Sequence, residues 1–148
     1  MRQAMTPDIN VLVAASRSDH PHHALARDWL EDALAECETG GRLEVLPMVA
    51  AGFLRLVTNR RIFPDPSPIK IAVEFLDAIL ATPGVEMPDG GREWPTLRRI
   101  CLDGELAGND IPDAWIAAAV KVSNSRLVTF DRGFRRLLSN NEVRFLAP

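Results

Sequence analysis

"PDAWIAAAVKVSNSRLVTFDRGFRRLLSNNEVRFL", Pro112 to Leu146, decides the fold class. Its first nine residues set small and apolar side chains at helical spacing behind a proline that suits a first turn. "RLVTF" (126–130) is β-branched and apolar, "GFRRLL" (133–138) reads as a short helix, and "VRFL" (143–146) reads as a second strand. Helix and strand alternating in this way predict a parallel sheet with crossover helices rather than separate α and β subdomains.

The alternation extends back along the chain. "HPHHALARDWLEDALAE" (20–36) is a helix with Pro21 near its start and Leu25, Trp29, Leu30 and Leu34 on one face; Gly40 and Gly41 close it, and "RLEVL" (42–46) is a short strand. "MVAAGFLRLVTN" (48–59) reads as a buried helix and "RRIFPDPSP" (60–68) as a proline-punctuated loop. "IKIAVEFLDAILAT" (69–82) is amphipathic, with Ile69, Ala72, Val73, Leu76, Ile79 and Leu80 on its apolar face. A "VEM" strand, the turn "PDGG", a helix through "WPTLRRICLDG" and the turn "LAGND" complete the pattern. The class is α/β, and with no repeat, low-complexity tract or linker, residues 1–148 are expected to form one domain.

Composition excludes several function classes. With 47% hydrophobic and 25% charged residues the chain is neither disordered nor fibrous. No run approaches the ~20 apolar residues of a membrane span, and Asp8 interrupts the N-terminal region where a signal peptide is apolar, so a cytoplasmic protein with no membrane contact is expected. Cys37 and Cys101 show neither CxxC nor zinc-finger spacing and are read as reduced, structural thiols. His20, His22 and His23 sit at a helix entrance with no Cys or downstream His, and are read as solvated side chains rather than a metal cluster. No G-x-S-x-G elbow occurs, and "DGGREW" lacks the lysine of a phosphate-cradling loop.

The formal charge of -3 gives no global attraction to nucleic acid. All but two of the 17 basic residues are Arg, and they cluster: Arg55, Arg60 and Arg61; Arg98 and Arg99; Arg132, Arg135 and Arg136. A planar guanidinium suits bidentate phosphate contact, with Arg55, Arg132, Arg135 and Arg136 the candidates. An Arg-rich coding bias produces the same excess.

Three acids stand at element junctions: Asp8 in "TPDINVL", Asp113 in "IPDAWIAA" and Asp131 in "LVTFDRGF". Groups just beyond the carboxyl ends of parallel strands face a common crevice, so these acids can converge into a site for a hard divalent cation. Asp is also a favoured helix cap. Asp110, three residues before Asp113, is assigned that role, which leaves Asp113 free to face the crevice.

In "PDINVLVAA", "GFLRLVTNRRIF", "NDIPDAWIAAAV" and "LVTFDRGF", with "HPHHALARDWL" and "RIFPDPSP" between them, the chain resembles the PIN-domain ribonucleases and, within them, the VapC-type toxins of bacterial toxin–antitoxin pairs. The resemblance spans nearly the whole chain. It implies an α/β/α sandwich on a parallel sheet of four to five strands, with "NVLVAA" helical where propensity alone favours a strand. It also implies a Mg²⁺- or Mn²⁺-dependent endoribonuclease with Asp8, Asp113 and Asp131 as metal ligands, and Asn10 and Thr129 in support. RNA is the implied substrate, and a homodimer and an antitoxin segment are the implied uses of the apolar helices 49–57 and 69–80, with Phe75→Glu the variant that tests helix 69–80 as the interface. Two departures stand out. Gly52 in "AAGFLR" occupies the place of a family glutamate, and Gly133 that of a further acid. Glu44 is the nearest replacement in sequence, and loss of the glutamate motivates an alternative, a catalytically weakened PIN-like module that binds RNA or protein.

Overall fold

The computed structural model describes residues 2–147. Strands β1 (Met5–Pro7), β2 (Leu43–Glu44), β3 (Val85–Glu86), β4 (Arg126–Thr129) and β5 (Val143–Phe145) form one sheet in the order β3-β2-β1-β4-β5. Every pairing is parallel, with Pro7 opposite Val128 in β4 and Thr129 opposite Phe145 in β5. The strands are short, but the ladder runs past them: Asp8 N–H donates to the Val128 carbonyl at 2.9 Å and Leu146 N–H to that of Thr129 at 2.9 Å.

Helices α1 (Ile9–Ser16), α2 (His23–Cys37), α3 (Pro47–Val57) and α4 (Ile69–Leu80) connect β1 outward to β2 and β3; α5 (Trp94–Gly104) and α6 (Asp110–Ser123) lead back across the sheet to β4. Right-handed crossovers put helices on opposite faces when the chain reverses direction across a sheet. The first four helices therefore cover one face and pack on one another, while α5 and α6 pair on the other. The three-layer sandwich and the five parallel strands agree with expectation. The reversal falls between β1 and β4, which makes the crevice above their carboxyl ends the switch point of the sheet.

α1 is a helix against its own β-branched content. Asp8 caps it, Oδ1 accepting from Ile9 N–H at 2.7 Å, and Val11, Leu12, Val13, Ala14 and Ala15 are buried along it. Burial on several sides outweighs a propensity difference of a few tenths of a kcal/mol per residue. The core is one contiguous cluster in which Phe53, Phe134, Leu12, Leu43, Leu46 and Leu127 are almost wholly enclosed.

Several expectations are corrected. "GFRRLL" forms a 3₁₀ turn over Arg132–Arg136, in which Phe134 is the buried residue, and Leu138 just beyond it also enters the core. On α4, Ala72, Leu76 and Ile79 are buried but Ile69 is 57% and Val73 37% exposed, so the packed stripe is narrower than the apolar one. Phe75 is half-buried and stacks on Phe53 with ring centroids 5.3 Å apart. The three histidines are half-buried with partners: the His23 Nδ1 lies 2.8 Å from the Ala14 carbonyl, the His22 ring stacks on Phe130 at 4.9 Å, and His20 Nδ1 accepts from His22 N–H. Both cysteines are free thiols, as expected, and no helix among the described residues is long and apolar enough to cross a membrane.

Candidate active site

Adjacent strands β1 and β4 bring their carboxyl ends together, and a single hydroxyl ties them. Asp8 is only 6% exposed. Its Oδ2 accepts from the fully buried Thr129 Oγ1 at 2.6 Å, and that same Oγ1 accepts from Asp131 N–H at 2.9 Å. Asp131 is exposed, and its Oδ1 accepts from Gly133 N–H at 2.8 Å, which starts the 3₁₀ turn. Asp113 approaches from the other side on the first turn of α6, half-buried. Each helix here begins at the carboxyl end of the sheet, where its dipole favours negative charge.

The carboxylates feel one another. Burial pushes the Asp8 carboxyl up from 3.8 to about 6; repulsion from Asp113 and Asp131 adds to this, and the bonds from Thr129 and Ile9 oppose it. Asp113 is also raised, chiefly by burial and then by Asp131 and Asp110, with Arg136 opposing. Asp8, Asp113 and Asp131 are thus brought together from three distant parts of the chain. Among the described residues, though, no three His, Cys, Asp or Glu side chains already form a metal-holding group. Asp8 and Asp131 are instead turned onto backbone and hydroxyl donors.

The donor set fits a hard divalent cation. It consists of carboxylate oxygens that repel until neutralised; two buried side-chain oxygens among the described residues have no hydrogen-bond partner, Asn10 Oδ1, two residues past Asp8, and Glu44 Oε2. Glu44 does not join the set. It is buried among Arg42, Glu86 and Ser123, and burial raises its carboxyl without any contribution from the three aspartates.

Asp110 is corrected: it does not cap. Asn109 holds the N-cap position with no side-chain bond, and Asp110 is the first residue inside α6, its carboxylate 3.8 Å from Arg136. The arginines divide. Arg136 stands over the acids, Arg132 and Arg135 lie over the Phe145 ring at 5.4 and 5.0 Å, and Arg55 is exposed on α3. Gly52 is filled from outside: a Cβ there would lie 2.5 Å from Ile9 Cδ1, so the Ile9 side chain occupies the space that a side chain at 52 would need. Trp115 and Glu93 escaped the sequence reading. Trp115 is 41% exposed on α6, and its Nε1 donates to Glu93 Oε1 at 2.9 Å; a lone Trp in an alanine-rich helix was the available signal.

The comparisons with known proteins agree with this geometry. The PIN domain family matches residues 5–138. The chain is 40% identical over 138 residues to ribonuclease VapC31 of Mycobacterium tuberculosis, covering 93% of this chain and 95% of that one. It is 41% identical over 131 residues to the VapC ribonuclease Mb2897 of Mycobacterium bovis, covering 87% and 86%. In fold it is similar to a chain in the crystal structure of VapBC2 from Rickettsia felis bound to a promoter DNA fragment, with a TM-score of 0.66 at 20% identity over 97% of this chain and 99% of that one. The chain belongs to the PIN-domain family, among the VapC ribonucleases.

Proposed function

We propose that this chain is a Mg²⁺- or Mn²⁺-dependent endoribonuclease, the toxin of a VapBC-type toxin–antitoxin pair, acting on RNA in the cytoplasm. The observation that supports the reading is that Asp8, Asp113 and Asp131 lie at the switch point near enough to repel, a repulsion that adds to the burial raising the Asp8 and Asp113 carboxyls. Asp8, Asp113 and Asp131 would hold the cation, with the Asn10 amide oxygen in reserve. When bound, a divalent ion supplies a hydrolytic nucleophile at neutral pH and neutralises charge building on the scissile phosphate.

The chain's own residues do the positioning. Thr129 fixes one Asp8 oxygen and, by accepting from Asp131 N–H, fixes the backbone that carries the third acid. Asp8 and Asp113 are shielded enough to hold their charges at a cost, which a cation removes. Arg136, beside Asp110, and Arg55, in the groove that Ile9 and Pro112 line, would serve as phosphate contacts, with Arg132 and Arg135 further along the 3₁₀ turn. Exposed Ile69, Ile71 and Val73 on α4, and Trp94 and Leu102 on α5, supply apolar surface for a second copy and for an antitoxin segment.

Cleavage of total RNA with and without EDTA tests the activity, and Mn²⁺-induced thermal stabilisation tests the site. Metal-dependent cleavage and a saturable stabilisation, both lost in Asp113→Asn, are expected; cleavage that persists in EDTA sinks the metal mechanism. The Ile9 side chain seated over Gly52 favours one second reading, an RNA- or protein-binding module of weakened catalysis. RNA binding without any saturable Mn²⁺ response would select it.

A further inference from the structure

Beside the acids runs a groove of about 480 Å³ lined by Ile9, Met48, Gly52, Arg55, Pro112 and Trp115, among others. Ile9 and Pro112 are the chain neighbours of Asp8 and Asp113, so the groove abuts the site that receives the scissile phosphate. We propose that it seats one unpaired base of the RNA next to the cleaved bond, with the Trp115 indole as the stacking face and Arg55 on the adjoining phosphate. This deepens the nuclease reading and rests on it.

The state of Trp115 selects a base as the occupant. Its Nε1 is already committed to Glu93 Oε1 at 2.9 Å, and Glu93, only 7% exposed, is itself held by Gly91 N–H at 2.9 Å. The indole is therefore held in place with its one polar donor used, and it offers a ligand only apolar ring surface. Ile9, Met48, Gly52 and Pro112 add apolar walls with no side-chain donor, so apart from Arg55 the groove grips a flat ring without reading its edge. It has the volume of a site for a single small ligand rather than for a helix. Arg55 supplies the one cation at this wall, as a base attached to a phosphate requires and an apolar peptide side chain does not. Recognition of this kind tolerates any base but needs it out of a duplex, so the substrate class is single-stranded or looped RNA.

The test is binding by the full chain carrying Asp113→Asn, in which hydrolysis is removed. One probe is a single-stranded oligoribonucleotide of about 12 residues, and the other is the same backbone with abasic riboses. The base-bearing probe is expected to bind about 10- to 100-fold more tightly. Adding Trp115→Ala should erase at least about tenfold of that preference while leaving the abasic affinity unchanged, and Trp115→Phe, which keeps a ring, should restore most of it. An undiminished preference in Trp115→Ala overturns the proposal. So does a variant that binds RNA normally but no longer associates with a second copy or an apolar peptide, since the groove then belongs to a protein partner. The two readings fail separately. Base-dependent binding through Trp115 without cleavage by the chain with intact acids leaves the subsite standing and removes the nuclease; metal-dependent cleavage unaffected by Trp115→Ala does the reverse.

Discussion

Asp8→Asn should make the metal-free protein more stable. The folded carboxyl titrates at about 6 against 3.8 unperturbed, because it is buried and faces two other acids. A folded value above the unfolded one means that the native state binds more protons between those limits, so stability falls as pH rises from about 4 to about 6 and stays low above. The difference, at ~1.4 kcal/mol per pH unit, comes to about 3 kcal/mol carried in full at pH 8. Asn cannot ionise and escapes this cost. It forfeits about 1 kcal/mol, since its one amide oxygen can replace only one of the two carboxylate oxygens that accept from Ile9 N–H and the Thr129 hydroxyl, and its NH₂ accepts from neither. The net gain is about 2 kcal/mol, or roughly 4–8 °C in Tm for a domain of this size. Thermal unfolding in EDTA at pH 8 reads it directly, and the gap should close by about pH 4, where the folded wild-type carboxyl is neutral and carries no ionisation cost. In Mn²⁺ the order should reverse, with wild type rising and the variant not. A variant that melts below wild type at pH 8 in EDTA, or a gap indifferent to pH, would refute the reasoning.

Thr129→Val removes the donor to Asp8 and the acceptor of Asp131 N–H at a fully buried position, so a loss of about 1–3 kcal/mol in urea unfolding and a still higher Asp8 pKa by NMR titration are expected. Gly52→Glu should cost about 1–3 kcal/mol through overpacking against Ile9, with Ile9→Ala recovering part of it and the double variant showing the larger Mn²⁺-induced rise in Tm. Phe75→Glu should lower Tm whatever the oligomeric state, because Phe75 stacks on Phe53, whereas Trp94→Glu should leave Tm nearly unchanged and reduce the solution mass if α5 joins two copies. Charge reversal at Arg135 and Arg136 should weaken RNA binding for all sequences and flatten its salt dependence by about two counterions, as measured by filter binding across ionic strength.

Local patterning carried the fold class a long way. Strand and helix signals at 126–146 and 69–80, with the ordered PIN-like motifs, led to the parallel sandwich, because periodicity and turn chemistry act over a few residues and survive outside any tertiary context. The junction position of Asp131 was likewise visible, since it directly follows the strand signal "LVTF". Other features depend on contacts between segments far apart in the chain. Whether "INVLVAA" is strand or helix was decided by burial and by the Asp8 cap, against local propensity. Asp110 and Asp113 look alike in sequence, but a one-position shift in where α6 begins takes capping from the first, and burial, with Asp131 nearby, raises the second. That Thr129 would join Asp8 to Asp131, that Ile9 would fill the space over Gly52, and that Glu93 would hold Trp115 at a groove wall are pairings across 121, 43 and 22 positions of chain. No local signal encodes such pairings, because each is set by the packing of elements that the intervening residues bring together.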